Sequence, residues 1–449
     1  MSNASTGTSP ANSSTDRAAG VPSDPPARRS SRLPGIMGLR AIAALTIVVY
    51  HTWLYSEPSG QRVDLGPVSR FVLPYLPVGV TLFFCLSAFL LYRPVVDGII
   101  RGQPRQSVGA YLRNRALRII PAYWLILLVL GVVLGAGVIR LSSTEVGLGR
   151  PDPALLLLNL GLVQNYVPAT LITGIPPAWS LAVEVAFYLV LPLLAWMAVA
   201  GARRAATVRG RTIAVLAPAV LLLFVGLSGK AAALWLFRAG EGPAPGWDGD
   251  WHSVLVRSFW AQADLFSFGM ALAVVWVCVE AGTLRLPGWW RIAAAATLVP
   301  IVLSTTRFGE GEVLGASAWA SVLALGCTLL LALVVLVPAG AIRRSPLMGI
   351  LETRLMVGLG LISYSLFLWH EPLVRWLALH GVTLTGRLGF VINVVIVSSL
   401  SALLAVLTYR FVERPALRHK ERTAAREPEA DVRTPAASEP SAPPRAALP

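Results

Sequence analysis

The sequence predicts an all-α, polytopic membrane protein: a bundle of about ten transmembrane helices with both termini on the cytoplasmic side. Its 449 residues are 55% hydrophobic and only 14% charged, with a mean hydropathy of +0.65. Soluble domains are nearer about 45–50% apolar and about 25% charged. The apolar residues also fall into runs of about 20, the length that crosses a bilayer as a helix. The arginines cluster between alternate runs, which the positive-inside rule assigns to the cytoplasm.

Ten segments fit a membrane span by length and apolar content. Residues 154–163 are apolar but too short to cross, so we interpret them as a re-entrant or interfacial helix. An eleven-span topology is the alternative. The ten predicted spans are 35–55, 77–97, 119–140, 178–199, 212–229, 258–279, 289–306, 316–338, 356–376 and 388–409.

Both ends of the chain are predicted to be disordered and cytoplasmic. Residues 1–33 are rich in Ser, Ala, Pro and Asn, and residues 416–449 are rich in Ala, Pro, Glu and Arg. Such compositions bury too little apolar surface to fold. No apolar stretch opens the chain, so we expect no cleavable signal peptide. The predicted transmembrane domain is therefore 34–415.

The net charge of +15 and the three cysteines exclude some classes of protein. The arginines lie at helix ends instead of on one patch, so topology and contact with anionic lipid explain them better than nucleic-acid binding. Cys85, Cys278 and Cys327 all lie inside apolar runs, which is typical of buried thiols and indicates neither a disulfide framework nor a metal site.

The first span carries two residues that are costly in hydrocarbon, Arg40 and His51. They are eleven positions apart, so both side chains leave the same face of the helix, about 16 Å apart along its axis. The predicted cytoplasmic location of the termini gives the direction of each span, so the position of a residue along its span gives its depth in the membrane. An outer level is predicted to hold His51, Glu184, Asp264, His370 and Glu371, and an inner level Arg40, Arg93, Arg115 and Arg118.

The two predicted levels indicate binding of an anionic donor beside an acid–base group. A cluster of arginines suits an anionic, phosphate-bearing donor that enters from the cytosol. The group carried by the donor would then point toward His51, because histidine is the natural proton acceptor near neutral pH and a nearby carboxylate would orient it. Asp264 is interpreted as structural.

Six short motifs follow one another along the predicted spans. They are Gly38-Leu39-Arg40 with His51; Gly79-Val80, Phe83-Phe84, Ser87 and Phe89; Arg115, Arg118 and Pro121; Trp179-Ser180-Leu181, Glu184 and Phe187-Tyr188; Ser363-Tyr364-Ser365, Trp369-His370 and Pro372; and Tyr409, Glu413 and Pro415. Together these motifs resemble those of the membrane-bound acyltransferase-3 family of bacterial O-acyltransferases, over roughly 34–416. Ala88 stands where the family usually has glycine, and Phe367 where it has a second tyrosine.

The resemblance implies an enzyme of class EC 2.3.1 in the bacterial inner membrane. It would move an acyl group, most simply acetyl, from acyl-CoA (acetyl-CoA) to a hydroxyl of a cell-envelope glycan or related acceptor, without metal or nucleic acid. His51 would be the general base or the acyl carrier. The predicted catalytic residues are His51, Arg40 and Glu184; the donor-binding residues are Arg93, Arg115 and Arg118; and the acceptor pocket is Ser87, Trp179, Ser180 and His370.

Two other classes of protein stay open at this point. One is a transporter or flippase for an anionic or lipid-linked substrate, in which the polar levels line a path without acyl transfer. The other is a structural or sensory membrane protein that has lost its chemistry. The Arg40 and His51 pair argues against the second, because a scaffold gains nothing from carrying both in hydrocarbon.

Overall fold

The structure, a computed structural model, describes residues 33–57, 62–104, 106–135, 138–141, 146–149, 151–171, 173–238, 250–304, 318–337 and 346–418. These residues form α-helices and one β-hairpin. The helices are Ile36–Leu54 (α1), Pro67–Phe71 (α2), Val78–Ile100 (α3), Val108–Leu128 (α4), Pro153–Leu160 (α5), Trp179–Arg203 (α6), Val208–Arg238 (α7), Trp251–Val256 (α8), Phe259–Glu280 (α9), Trp290–Ser304 (α10), Ala318–Val335 (α11), Pro346–Leu351 (α12), Arg354–Leu379 (α13) and Gly386–Thr408 (α14).

Short irregular elements complete the described fold. The hairpin pairs Val138–Leu141 (β1) antiparallel with Val146–Gly149 (β2), with Val138 opposite Gly149. One π-helical turn extends α4 and another extends α14. The π-helical turns are Val129–Val133 and Tyr409–Glu413, and the 3₁₀ turns are Leu73–Tyr75, Gln164–Tyr166, Pro168–Thr170 and Pro176–Ala178.

The structure confirms a multi-pass, helical membrane protein. In the described ranges, eight helices are long and apolar enough to span a bilayer. Two shorter apolar helices, Trp290–Leu303 and Trp319–Val335, lie where the other two spans are predicted. The number of spans and the side of each terminus stay predictions.

One predicted helix start is wrong. The third span was expected to begin at 119, but α4 begins at Val108, where the Ser107 side chain accepts the N–H of Ala110 as an N-cap. Arg115 and Arg118 therefore lie within the helix instead of before it. Polar side chains lower the hydropathy of these first turns without interrupting the helix. At the other end the chain is helical to Arg418, three residues beyond the predicted domain boundary. The predicted tails otherwise lie outside the described residues.

Helix α5 occupies the short apolar segment predicted at 154–163. Asp152 caps it by accepting the N–H of Leu155 at 2.8 Å, and its eight residues extend about 12 Å, too short to cross. Two hydrogen bonds hold α5 against α4: the Tyr123 hydroxyl donates to the Asn159 carbonyl at 2.8 Å, and the Trp124 indole donates to the Leu160 carbonyl at 3.0 Å. The geometry favours the interpretation as a segment that does not cross.

Helix α1 packs between α3 and α13 because glycines let the backbones approach closely. A Cβ at Gly79 of α3 would lie 2.4 Å from the Ala43 carbonyl oxygen, and one at Gly360 of α13 would lie 2.1 Å from that of Met37. Small residues at such crossings are typical of membrane helices. The spanning window of α1 is 61% buried, against 28% for α6, so α1 is central and α6 peripheral.

The C-terminal end of α1 is fixed by the loop that follows it. The Trp53 indole donates to the Val63 carbonyl at 3.0 Å, and Arg387 at the start of α14 donates to the Asp64 carbonyl at 3.0 Å. The N–H of Gly66 donates to the Asp64 carboxylate, which lowers the pKa of Asp64 below its usual value. The loop thereby connects the end of α1 to α14.

Candidate active site

Five helices, α1, α3, α4, α6 and α13, surround a cavity with a volume of about 90 Å³. Three arginines, one carboxylate and several hydroxyls face it together with aromatic and aliphatic side chains. We call it the arginine cavity. Its polar lining is Arg40, Ser87, Arg115, Arg118, Ser180, Glu184, Tyr188, Ser363 and Tyr364.

Arg40 is held at the cavity by α13. Its Nη2 and Nε donate to the Ser363 hydroxyl oxygen at 3.0 and 3.2 Å, and the Ser363 hydroxyl in turn donates to the Gly360 carbonyl at 2.9 Å. The guanidinium also lies 5.7 Å from the centroid of the Phe83 ring. The orientation of Arg40 is thus fixed, and its positive charge is not paired with a carboxylate by these contacts.

Glu184 faces the same cavity as the arginines. Its carboxylate accepts hydrogen bonds from the Ser87 hydroxyl and, at 2.6 Å, from the Tyr188 hydroxyl. The Arg115 guanidinium lies 5.9 Å from the Tyr188 ring. Glu184 therefore shares a cavity with Arg40, whereas the sequence analysis placed it at the level of His51. Depth counted from the start of a span takes no account of how neighbouring helices are staggered and tilted.

His51 forms a hydrogen-bonded pair with His370. His51 Nδ1 lies 3.1 Å from His370 Nε2 and 3.0 Å from the Ile47 carbonyl oxygen, and His370 Nδ1 lies 2.6 Å from the Phe367 carbonyl oxygen. A carbonyl only accepts, so each Nδ1 carries the proton. His370 Nε2 then accepts from His51 Nδ1, and Nε2 of His51 is the basic nitrogen.

Phe367 connects the histidine pair to the arginine cavity. Its side chain is part of the cavity wall, and its carbonyl fixes His370. The Phe367 ring centroid lies 6.2 Å from that of Phe83 and 5.6 Å from that of His370. The pair therefore lies directly behind one aromatic wall of the cavity.

A third contact joins α1 to α13 beyond the histidines. The Tyr55 hydroxyl donates to Glu371 Oε1 at 2.9 Å, and Arg375 Nη1 lies 3.7 Å from the same oxygen. Three contacts thus follow one another along the two helices, and we call them the polar seam: Arg40–Ser363, His51–His370 and Tyr55–Glu371. The sequence analysis missed Tyr55 and Arg375, although the Glu371–Arg375 spacing of four inside an apolar span was a usable signal.

The remaining predicted site residues lie less centrally. Arg93 stacks on the Trp276 ring of α9 at 5.1 Å, and Trp179 packs edge-on against Phe84 at 6.4 Å. Neither belongs to the cavity lining formed by the described residues. Ser180 does line the cavity, and its hydroxyl donates to the carbonyl of Pro177 at 3.0 Å. The structure therefore brings Ser180 to the arginines but leaves Arg93 and Trp179 aside.

Asp264 belongs to a different cluster. Its carboxylate accepts hydrogen bonds from the Lys230 ammonium of α7 and the Ser321 hydroxyl of α11, so the prediction that it shares a level with His51 gains no support. Lys230 was missed, although it is a single lysine within a long apolar run. Among the residues that the structure describes, no three His, Cys, Asp or Glu side chains are grouped so as to hold a metal ion.

Comparison with known proteins identifies the family of the chain. A family model described as "Acyltransferase domain" (Acyl_transf_3) matches residues 33–410. No solved structure matches the chain.

Several relatives are similar to the chain over part of their length. "Acyltransferase MdmB" of Streptomyces mycarofaciens is 34% identical over 170 residues, 37% of this chain and 40% of the relative. "O-acetyltransferase OatA" of Staphylococcus aureus is 24% identical over 393 residues, 85% of this chain and 57% of the relative. "Putative peptidoglycan O-acetyltransferase YrhL" of Bacillus subtilis is 24% identical over 399 residues, which are 85% of this chain and 54% of the relative. The chain thus spans about half the length of these relatives.

Proposed function

We propose that this chain, which belongs to the acyltransferase-3 family, transfers an acyl group, most simply acetyl, from acyl-CoA to a hydroxyl of a cell-envelope glycan or related acceptor. The family and the acyltransferase class predicted from the sequence are confirmed by the match over residues 33–410. Two of the similar proteins are named O-acetyltransferases, which supports a hydroxyl acceptor. The bacterial inner membrane is the location we propose.

The observation that carries this proposal is the arginine cavity beside the His51–His370 pair. Arg40, Arg115 and Arg118 face one carboxylate, Glu184, so the lining has an excess of positive charge. Guanidinium groups bind phosphate through paired, charge-assisted hydrogen bonds. An acyl-CoA donor supplies phosphates at one end and a thioester at the other, which matches arginines near a basic histidine.

The size of the arginine cavity limits which part of the donor it holds. Sites for whole ligands have volumes of about 300–1,000 Å³, whereas this cavity has about 90 Å³. We infer that the cavity holds only a phosphate-bearing part of the donor, bound by Arg40, Arg115 and Arg118, while the rest of the coenzyme lies outside it and the thioester extends toward His51. Because Arg93 stacks on Trp276, we leave it out of the donor site.

His51 would act through Nε2. In the proposed step Nε2 takes the proton of the acceptor hydroxyl while the hydroxyl oxygen attacks the thioester carbonyl; the carbon–sulfur bond breaks, and His51 returns the proton to the coenzyme thiolate. The positive charge that develops on His51 is stabilised by the bond from Nδ1 to His370 Nε2. The same tautomer would serve if His51 accepted the acyl group itself. Ser87 and Ser180 would line the acceptor side.

Purified protein in vesicles tests the proposal with acetyl-CoA as the donor. We expect free coenzyme A to be released in the presence of cell-envelope glycan and the glycan to gain one acetyl mass, while the His51→Ala variant loses about 10²- to 10⁴-fold in rate. His380→Ala is the matched control, since His380 is an exposed histidine stacked on Trp376 at the end of α13. Movement of glycan across the vesicle membrane without release of coenzyme A would contradict the proposal and favour a flippase.

A further inference from the structure

A groove of about 600 Å³ lies between α13 and α14, separate from the arginine cavity. Its walls are apolar and include Leu355 and Leu359 of α13 and Leu403 and Val406 of α14. Leu355 and Leu403 are 66% and 56% exposed, so these walls face the surroundings of the bundle. Apolar surface of this kind needs an apolar neighbour.

One end of the groove is basic. Helices α13 and α14 are consecutive spans and run antiparallel, so the start of α13 and the end of α14 meet at the same side of the membrane. Arg354 begins α13, and Arg410 and Arg414 follow the end of α14, and all three line the groove. The groove is therefore cationic at one end and apolar along the rest of its length.

The charge of these arginines is not neutralised by the nearby acidic residues. The Glu352 carboxylate accepts the N–H of Gly35, and the Glu413 carboxylate accepts the hydroxyl of Ser365. In the part of the chain that the structure describes, no ion pair involves Arg354, Arg410 or Arg414. The three exposed arginines can therefore bind an anion from outside the described fold.

We propose that the α13–α14 groove binds one anionic glycerophospholipid. Its phosphate would lie on Arg354, Arg410 and Arg414, and an acyl chain would extend along Leu359 and Val406. Basic pockets between transmembrane helices are suited to lipid headgroups of this charge. A free phosphate ion would use the arginines but would leave the apolar length of the groove uncovered, which is why the combination favours a lipid.

The lipid would contact α13 on the face opposite the polar seam. Ser363, which holds Arg40, is fully buried on the inner side of α13, whereas Gly358 and Leu361, on the other side of the helix, line the groove. A ligand that binds the folded protein stabilises it by mass action. Occupancy should therefore raise the unfolding temperature.

Native mass spectrometry of the purified full chain with phosphatidylglycerol or phosphatidylcholine tests the proposal. We expect one phosphatidylglycerol to be retained in preference to phosphatidylcholine, and Arg410→Gln/Arg414→Gln to bind phosphatidylglycerol about 30-fold more weakly. The matched control is Arg203→Gln/Arg204→Gln, two exposed arginines at the end of α6, which should bind as the wild type does.

A second variant tests the apolar part of the groove without touching charge. Gly358 lines the groove, and a Cβ there would meet nothing within 4 Å, so Gly358→Phe should fill the groove without a clash and displace the lipid. Gly109→Phe, at an equally open helical position in α4, is its control. Thermal unfolding of lipid-free samples checks that each variant folds.

Three results would overturn the proposal. The first is that the wild type retains the two lipids equally, or that all variants retain phosphatidylglycerol as well as the wild type does. The second is competition by inorganic phosphate together with unchanged binding to Gly358→Phe, which would identify a free-anion site. The third is a dimer mass that is lost in the groove variants without any bound lipid, which would mean that a second copy of the chain covers the groove.

Discussion

The polar seam between α1 and α13 and the Lys230–Asp264 cluster between α7, α9 and α11 both bury charged groups in the membrane domain, with different results. In the second cluster the charges are matched. The Asp264 carboxylate accepts hydrogen bonds from Lys230 and Ser321, and Asp264 and Lys230 are 0% and 3% exposed. A Cβ at Gly226 would lie 2.4 Å from Asp264 Oδ1, so α7 closes tightly over the pair.

The seam has the opposite design. It borders a cavity in whose lining the arginines outnumber the carboxylates, and His51 has a basic nitrogen held in one orientation by His370. An ionisable residue inside a membrane span is a candidate functional residue by default. A cavity and unmatched charge therefore distinguish the proposed reactive site from the internal ion pair. Four predictions test this distinction.

The largest effect is expected on stability, at Asp264. Asp264→Asn leaves the Lys230 ammonium buried without its carboxylate, which costs about 3–5 kcal/mol of the free energy of unfolding. The double variant Asp264→Asn/Lys230→Met removes both charges and should recover much of that loss. Thermal unfolding measures the stability of each variant, and the activity of the folded fraction measures catalysis separately. Loss of catalysis at unchanged stability would place Asp264 in the reaction site and remove the distinction.

A smaller effect, on donor binding, is expected at Arg40. Arg40→Gln removes a cation whose orientation Ser363 fixes, and the KM for acetyl-CoA should rise about 10- to 100-fold, the range for hydrogen bonds to charged groups. Arg93→Gln is the control, because the Arg93 guanidinium stacks on Trp276 outside the cavity lining. Equal increases in KM for both variants would restore Arg93 to the donor site that the sequence predicts.

The sequence predicts the membrane fold, and it singles out Arg40 and His51 as candidates, because both signals are local. Spans appear as apolar runs, and a charged residue within one is conspicuous. Contacts between distant segments are not local. The Lys230–Asp264 pair joins positions 34 apart, and His51–His370 joins positions 319 apart. Hydropathy also marks where a helix crosses the bilayer and not where it begins, so the start of α4 at Val108 was missed.

His370 provides the third prediction. His370→Leu removes one of the two acceptors of His51 Nδ1–H and leaves the Ile47 carbonyl as the other, so kcat should fall about tenfold, the contribution of one hydrogen bond. His370→Gln offers a side-chain oxygen that accepts the same proton, so it should recover part of the rate. The KM for acetyl-CoA should not change in either variant. If glutamine is no better than leucine, His370 acts through packing and the tautomer argument for His51 fails.

The smallest effect is expected at Phe367, which stands where the family motif has a tyrosine. Its ring forms a wall of the arginine cavity, and its carbonyl, which fixes His370, is unaffected by a change of side chain. Phe367→Tyr adds one hydroxyl at that wall, so the rate should change by about threefold or less at unchanged stability. Steady-state release of coenzyme A measures it. A loss of rate as large as that of His370→Leu would show that this wall must stay apolar for the histidine pair to function. Apolar packing would then join the cavity and the unmatched charge as a third feature of the proposed reactive site.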